Sequence, residues 1–184
     1  MSSATELLLI RHAESAPDRN LPEPAWPLSQ NGRQQAATLA EDLAHVPISA
    51  IASSPLERAR DTVAPLAARR QLTVAVVEDL RERVLSQKRR EDWLSLLERT
   101  WDDFNLRADG GESSADCQAR VVRGLTGWAE EHPGKTIAAC SHGNAIALFL
   151  NHIEPSFGFE AWREMGNPAI YRCTLLHGRW RWQD

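Results

Sequence analysis

The sequence predicts an α/β domain, a three-layer α/β/α sandwich around a mostly parallel central sheet. Three observations carry that prediction. Short continuous apolar runs alternate with stretches of helical period along the 184 residues. The runs lack the apolar–polar alternation of a sheet with one wet face, so both faces of their sheet are covered. No internal repeat, low-complexity block or long linker interrupts the pattern, which makes residues 1–184 a single domain.

The elements follow in order. Residues 6–10 (ELLLI) form an apolar run of strand length. The next segment, 16–27, holds Pro17, Pro22, Pro24 and Pro27 and is a loop. Ser29 is an N-cap for a helix over 33–44, with Ala36, Leu39, Ala40 and Leu43 on one face. Residues 48–52 give a second strand, 56–69 a helix started by Pro55, and 73–77 a β-branched third strand. A helix over 91–101 carries Trp93, Leu94, Leu97 and Trp101 at helical spacing; Trp93, Trp101 and Trp128 are expected in the core. Asp109-Gly110-Gly111 breaks the chain, and Ser113 with Asp116 begins a helix that ends near His132-Pro133-Gly134. A fourth strand over 136–140, a buried helix over 144–152 and a hairpin of 171–176 with 180–182 complete the chain.

Composition narrows the function. With 42% hydrophobic residues the chain is too apolar for disorder, and a formal charge of −4 argues against a nucleic-acid surface. The cysteines, Cys117, Cys140 and Cys173, are odd in number and far apart, which fits neither a disulfide framework nor zinc spacing. No secretory h-region or membrane-length apolar stretch is present, and the expected location is the cytoplasm.

In a parallel sheet, ligands bind beyond the carboxyl ends of the strands. The residues just past those ends are Arg11-His12, then Ser53-Ser54-Pro55 with Arg58, then Arg81-Glu82, then Ser141-His142-Gly143. Two arginines, two histidines and a carboxylate therefore share one edge. Phosphoryl transfer asks for positioning and charge neutralisation, and the planar fork of arginine suits phosphate. A neutral imidazole can take up a phosphoryl group covalently, and Glu82 can protonate the leaving alcohol and then activate water. This inventory needs no metal or organic cofactor.

The stretch LLLIRHAES (7–15) resembles the RHG-type signature of the histidine phosphatase superfamily, which has a phosphoglycerate mutase-like fold, with Ala13 in place of glycine. The likeness continues through LSQNG (28–32), SSPLERARDT (53–62), LRE (80–82), GES (111–113) and SHG (141–143), in the family's order. It implies His12 as phosphoryl acceptor, Arg11, Arg58 and His142 as a phosphate clamp, Glu82 as acid and then base, and Ser15 as a lesser phosphate contact. It also implies a reaction without metal or cofactor. Ala13 resembles branches that act on protein phosphohistidine, whereas Glu82 points to ester substrates. Asp18 stands where sugar-phosphate phosphatases carry asparagine, and the 16–27 loop is short, so a different pocket is expected there.

Trp26, in that loop, is the aromatic residue placed to touch substrate. Arg60, Arg69, Arg70 and the run Lys88-Arg89-Arg90 read as solvated, the last with the option of a lip that attracts anions. His45, His132, His152 and His177 read as structural. The leading expectation is a metal-independent phosphomonoesterase acting on a small phosphorylated metabolite, with neither nucleic acid nor membrane as partner. The alternatives are a protein phosphohistidine phosphatase, a mutase-type phosphotransferase and an inactive phosphate-binding module.

Overall fold

The computed structural model describes residues 4–183. Four strands run parallel: β1 (Thr5–Arg11), β2 (Ile48–Ser53), β3 (Val74–Val76) and β4 (Thr136–Ser141). β5 (Ala169–Leu176) lies antiparallel to β1 and turns into β6 (Arg179–Gln183). The order across the sheet is β3-β2-β4-β1-β5-β6. β1 and β4 are central because their apolar runs are unbroken, and each run splits by parity between two cores. Leu7 and Leu9 of β1, with Ile137 and Ala139 of β4, face one core; Leu8 and Ile10, with Ala138 and Cys140, face the other.

Helices α1 (Gln30–Asp42) and α2 (Glu57–Arg70) cover the second core through Leu39, Ala40, Val63 and Leu66. Helices α4 (Ser114–Glu130) and α5 (Gly143–Ile153) cover the first through Val121, Leu125, Ile146 and Phe149. The three-layer sandwich is thus the observed architecture. Cys117, Cys140 and Cys173 are buried and unpaired. Among the described residues no helix is long and apolar enough to cross a membrane.

Several expectations are corrected. α1 begins directly after Ser29, whose Oγ accepts from the Gly32 amide at 2.8 Å, so the cap sets the start three residues earlier than expected. α3 (Trp93–Asp102) buries Leu96, Leu97 and Thr100, a stripe that leaves Trp93 half exposed rather than in the core. Trp101 and Trp128 are partly buried and pack against the core as expected. Arg70 is not a solvated residue: its guanidinium caps the carbonyls of Leu43, Ala44 and Val46 and closes the turn between α1 and β2. A short helix, α6 (Phe159–Glu164), buries none of its residues and had too little apolar period to be seen in the sequence.

Candidate active site

The site is built where β1, β4 and β2 end side by side. The His12 amide donates to the Ser141 carbonyl at 3.0 Å and the Ser54 amide to Cys140 at 2.9 Å, so the ladder runs one residue past each strand. His12, His142 and Ser54 are delivered to the same edge. His142 then caps α5, and Arg58 follows in the first turn of α2. The rings of His12 and His142 lie 5.0 Å apart between centroids. Both histidines feel the charges of Arg11 and Arg58, and Arg11 feels that of Glu82. The five residues expected to converge do so.

Protonation follows from the hydrogen bonds. His12 Nδ1 lies 2.7 Å from the Ala13 carbonyl, which can only accept, so Nδ1 carries the proton and Nε2 keeps a free lone pair. Burial, reinforced by Arg58 and Arg11, brings the His12 pKa down to about 4. His142 is fully buried, and its burial beside His12 and the arginines pushes its pKa well below the ordinary value. Its Nε2 pairs with Ser54 Oγ at 2.7 Å. The Leu56 amide also donates to that oxygen, and with the hydroxyl proton on Nε2 the ring N–H sits at Nδ1. Among the described residues, His142 Nδ1 and Arg11 Nε are both buried with no hydrogen-bond partner. Two donors in one electropositive cluster suit the oxygens of a phosphoryl group.

The two arginines are held differently. Arg11 donates to the Met165 carbonyl at 2.6 Å and lies against Gly143, where a Cβ would sit 3.1 Å from Nη2. Burial pulls its pKa down, partly offset by Glu82 and Tyr171. Arg58 is buried and paired with Glu23 of the Pro-rich loop: Nη2 donates to Glu23 Oε1 at 2.5 Å and Nη1 to the Glu23 carbonyl at 3.1 Å. Glu23 was not legible as part of the site, because nothing in a proline-rich loop says which side chain folds inward.

Glu82 accepts from the Arg83 amide at 2.8 Å and the Ala145 amide at 3.2 Å, which sets its carboxylate against the first turn of α5. Ser15 is half buried and bridges Leu28 through the backbone; among the described residues no hydrogen bond ties its hydroxyl to the cluster. Trp26 donates Nε1 to the Asp18 carbonyl at 3.0 Å and forms one wall of a cavity of about 630 Å³. Asp18, Glu23, Lys88 and Arg89 line the same cavity, which meets the cluster through Glu23, the partner of Arg58. The Asp18 carboxylate itself is used within the loop by Asn20. A separate cavity of about 440 Å³ between α1 and the start of β5 holds none of the cluster residues.

The sequence reading also passed over the supports. Thr62 Oγ accepts from the Ala13 amide at 2.9 Å and donates to the Arg58 carbonyl at 2.7 Å, locking the histidine loop to α2. Asn167 donates to the His12 carbonyl at 3.0 Å. Ser54 and Thr62 sit inside a motif already singled out, yet only the fold shows which polar atom each one meets. Among the described residues no group of three or more His, Cys, Asp or Glu is arranged to hold a metal ion.

A buried neutral histidine with arginines at the strand ends of this sandwich fits an enzyme of the phosphatase class. The chain belongs to the histidine phosphatase superfamily (branch 1), whose family model matches residues 7–184. It is 39% identical over 85 residues to the Mycobacterium tuberculosis protein Rv0525, and it spans 42% of that relative's length. Glucosyl-3-phosphoglycerate phosphatase of M. tuberculosis is 28% identical over 200 residues, covering 96% of this chain and 87% of the relative. The solved structure of mycobacterial glucosyl-3-phosphoglycerate phosphatase superposes with a TM-score of 0.78 at 25% identity, over 98% of this chain and 97% of the other. The fold is the phosphoglycerate mutase-like one that these proteins share.

Proposed function

We propose that the chain is a metal-independent phosphomonoesterase that works through a phosphohistidine on His12 and takes a small phosphorylated metabolite as substrate. The observation that carries this reading is the His12 tautomer: Nδ1–H is fixed on the Ala13 carbonyl, which leaves Nε2 as a neutral nucleophile beside Arg11, Arg58 and His142. Substrate enters as Glu23 leaves Arg58. The phosphoryl oxygens take donors from Arg58, Arg11 Nε and His142 Nδ1. Nε2 then forms a bond to phosphorus as the ester P–O bond breaks with its electron pair on the leaving oxygen, which takes a proton from Glu82. The proton that Glu82 passes on arrives with the monoanion of the phosphoester. In the second half, Glu82 takes a proton from water as its oxygen attacks phosphorus, the N–P bond breaks, and inorganic phosphate departs.

Relatives named as phosphatases of a glucosyl phosphoglycerate support an ester substrate over a protein phosphohistidine. Glu82 supports it too, because only a poor leaving group needs the proton. Phosphate release from a panel of phosphomonoesters and a phosphohistidine peptide, in the presence of chelator, tests the reading. Wild type is expected to turn over esters with chelator present, and His12→Ala to lose at least about 10³-fold. Glu82→Gln is expected to lower kcat/KM, which reports the first transfer alone, far more for alkyl phosphates than for p-nitrophenyl phosphate. Undiminished turnover in His12→Ala refutes the nucleophile; equal losses on both esters in Glu82→Gln refute the acid.

A further inference from the structure

Glu82 lies in an irregular segment after the edge strand β3, the least ordered setting of any residue in the cluster. Its backbone is nevertheless held at every carbonyl. Arg120, from the middle of α4, donates Nη1 to the Asp79 carbonyl at 2.7 Å and to the Arg81 carbonyl at 2.8 Å. Its Nη2 reaches the Glu82 carbonyl at 3.3 Å. The remaining carbonyl of the run, Leu80, accepts from Ser141 Oγ at 2.7 Å. Arg120 is itself fixed by a two-pronged pair with Glu112: Nε to Oε1 at 2.6 Å and Nη2 to Oε2 at 2.7 Å. The two side chains are 7% and 12% exposed, so this is a buried ion pair.

Stability alone is a weak reason for such a pair. Taking two charges out of water costs about as much as their attraction returns, and apolar residues of similar volume often hold a fold as well. The geometry is better explained by what only a guanidinium can do. One planar group spans the Glu112 carboxylate on one edge and three backbone carbonyls on the other. A lysine has no second edge. Glu112 fixes the plane, the plane fixes residues 79–82, and the Glu82 carboxylate is thereby aimed at the amides that open α5.

We propose that Arg120 and Glu112 are positioning residues for proton transfer by Glu82, acting on the segment that carries the acid and not on substrate. The inference rests on Glu82 being the acid of the proposed reaction. A displaced acid harms the step in proportion to the need for its proton, so the signature is a loss that depends on the leaving group.

The experiment compares Arg120→Lys, Glu112→Gln and Glu82→Gln on an alkyl phosphate and on p-nitrophenyl phosphate, with thermal melting of each variant. Arg120→Lys is expected to lose about tenfold in kcat/KM on the alkyl ester and less than about twofold on the nitrophenyl ester, as for an acid displaced by a fraction of an ångström; kcat/KM reports the first transfer and not the water attack that both esters share. In the Glu82→Gln background the same substitution is expected to add no further loss on either ester. Glu112→Gln, which keeps the shape and frees the guanidinium plane, is expected to show the same pattern and serves alone if Arg120→Lys does not fold. Equal losses on both esters, or a full additional loss in the Glu82→Gln background, would overturn the positioning role. If Glu82→Gln is selective and neither partner variant is, the tie falls and the acid stands. If Glu82→Gln shows no leaving-group selectivity, the acid assignment falls and the positioning role falls with it.

Discussion

Replacing Glu23 by glutamine should make the enzyme bind phosphate more tightly. Arg58 is the buried cation facing the entering anion, and its guanidinium already holds the Glu23 carboxylate at 2.5 Å and the Glu23 carbonyl at 3.1 Å. An incoming phosphate must displace that carboxylate, so the pair stabilises only the substrate-free enzyme. A hydrogen bond between charged groups contributes about 1.5–3 kcal/mol when shielded, and an exposed pair contributes 0–1. With the Arg58 side chain 5% exposed but that of Glu23 46% exposed, about 1 kcal/mol is the reasonable figure after solvent screening. Removing the charge while keeping the shape should then lower Kd for orthophosphate or orthovanadate about fivefold. KM for substrate should fall by the same factor with kcat unchanged, since the contact exists in neither the bound state nor the transition state. Calorimetric titration with orthovanadate measures the first quantity, and steady-state kinetics the second. Equal or weaker anion binding by Glu23→Gln would show that the carboxylate does not compete for Arg58.

Two further predictions concern stability. Burial depresses the pKa of both His12 and His142, so the folded state stays neutral while the unfolded chain takes up protons below its ordinary value of 6.5. Stability is therefore complete above pH 6.5 and is lost as pH falls from there towards about 4, at up to about 1.4 kcal/mol per pH unit for each histidine. Urea unfolding at pH 7 and pH 5 should give a loss for wild type well above that of His12→Asn; equal losses would remove His12 from the linkage. At Gly32, an added Cβ would sit 1.9 Å from the Glu14 carbonyl oxygen, with backbone on both sides of the clash. Gly32→Ala should cost about 2 kcal/mol and lower Tm by about 4–8 °C for a chain of this size. A melt within a degree of wild type would mean that the histidine loop yields freely.

The sequence exposes the chemistry of this protein better than its supports, for a physical reason. A candidate site residue at a strand end is announced by its neighbours: the apolar run before His12, the strand before His142, and the Ser-Ser-Pro turn before Arg58 each fix a location on the sheet edge. Supporting contacts join residues far apart along the chain, and no local pattern pairs them. Arg58 with Glu23, Thr62 with Ala13 and Arg120 with the 79–82 carbonyls are of this kind. Arg70 reads as solvated in the sequence because a charged helix end normally is, yet its guanidinium reaches the carbonyls of Leu43, Ala44 and Val46, the first and last of which also accept backbone amides. Trp93 failed in the opposite direction. Its spacing fits a buried stripe, but the stripe that packs is centred on Leu96, Leu97 and Thr100.

The Glu23 contact also bears on how substrate choice and phosphate affinity are related. Residues 17–26 wall the cavity through Leu21, Trp26 and Asp18; on the proposed reading, a leaving group held there would be selected by them. The same loop supplies the carboxylate on Arg58, which every phosphoryl group must displace. A change in this loop is therefore expected to act in one of two ways. Where it moves Glu23, it shifts affinity for all phosphoesters by a common factor; where it changes Trp26 or Leu21, it shifts affinity ester by ester. Separating a uniform change in KM from a selective one thus identifies which part of the loop a substitution has disturbed.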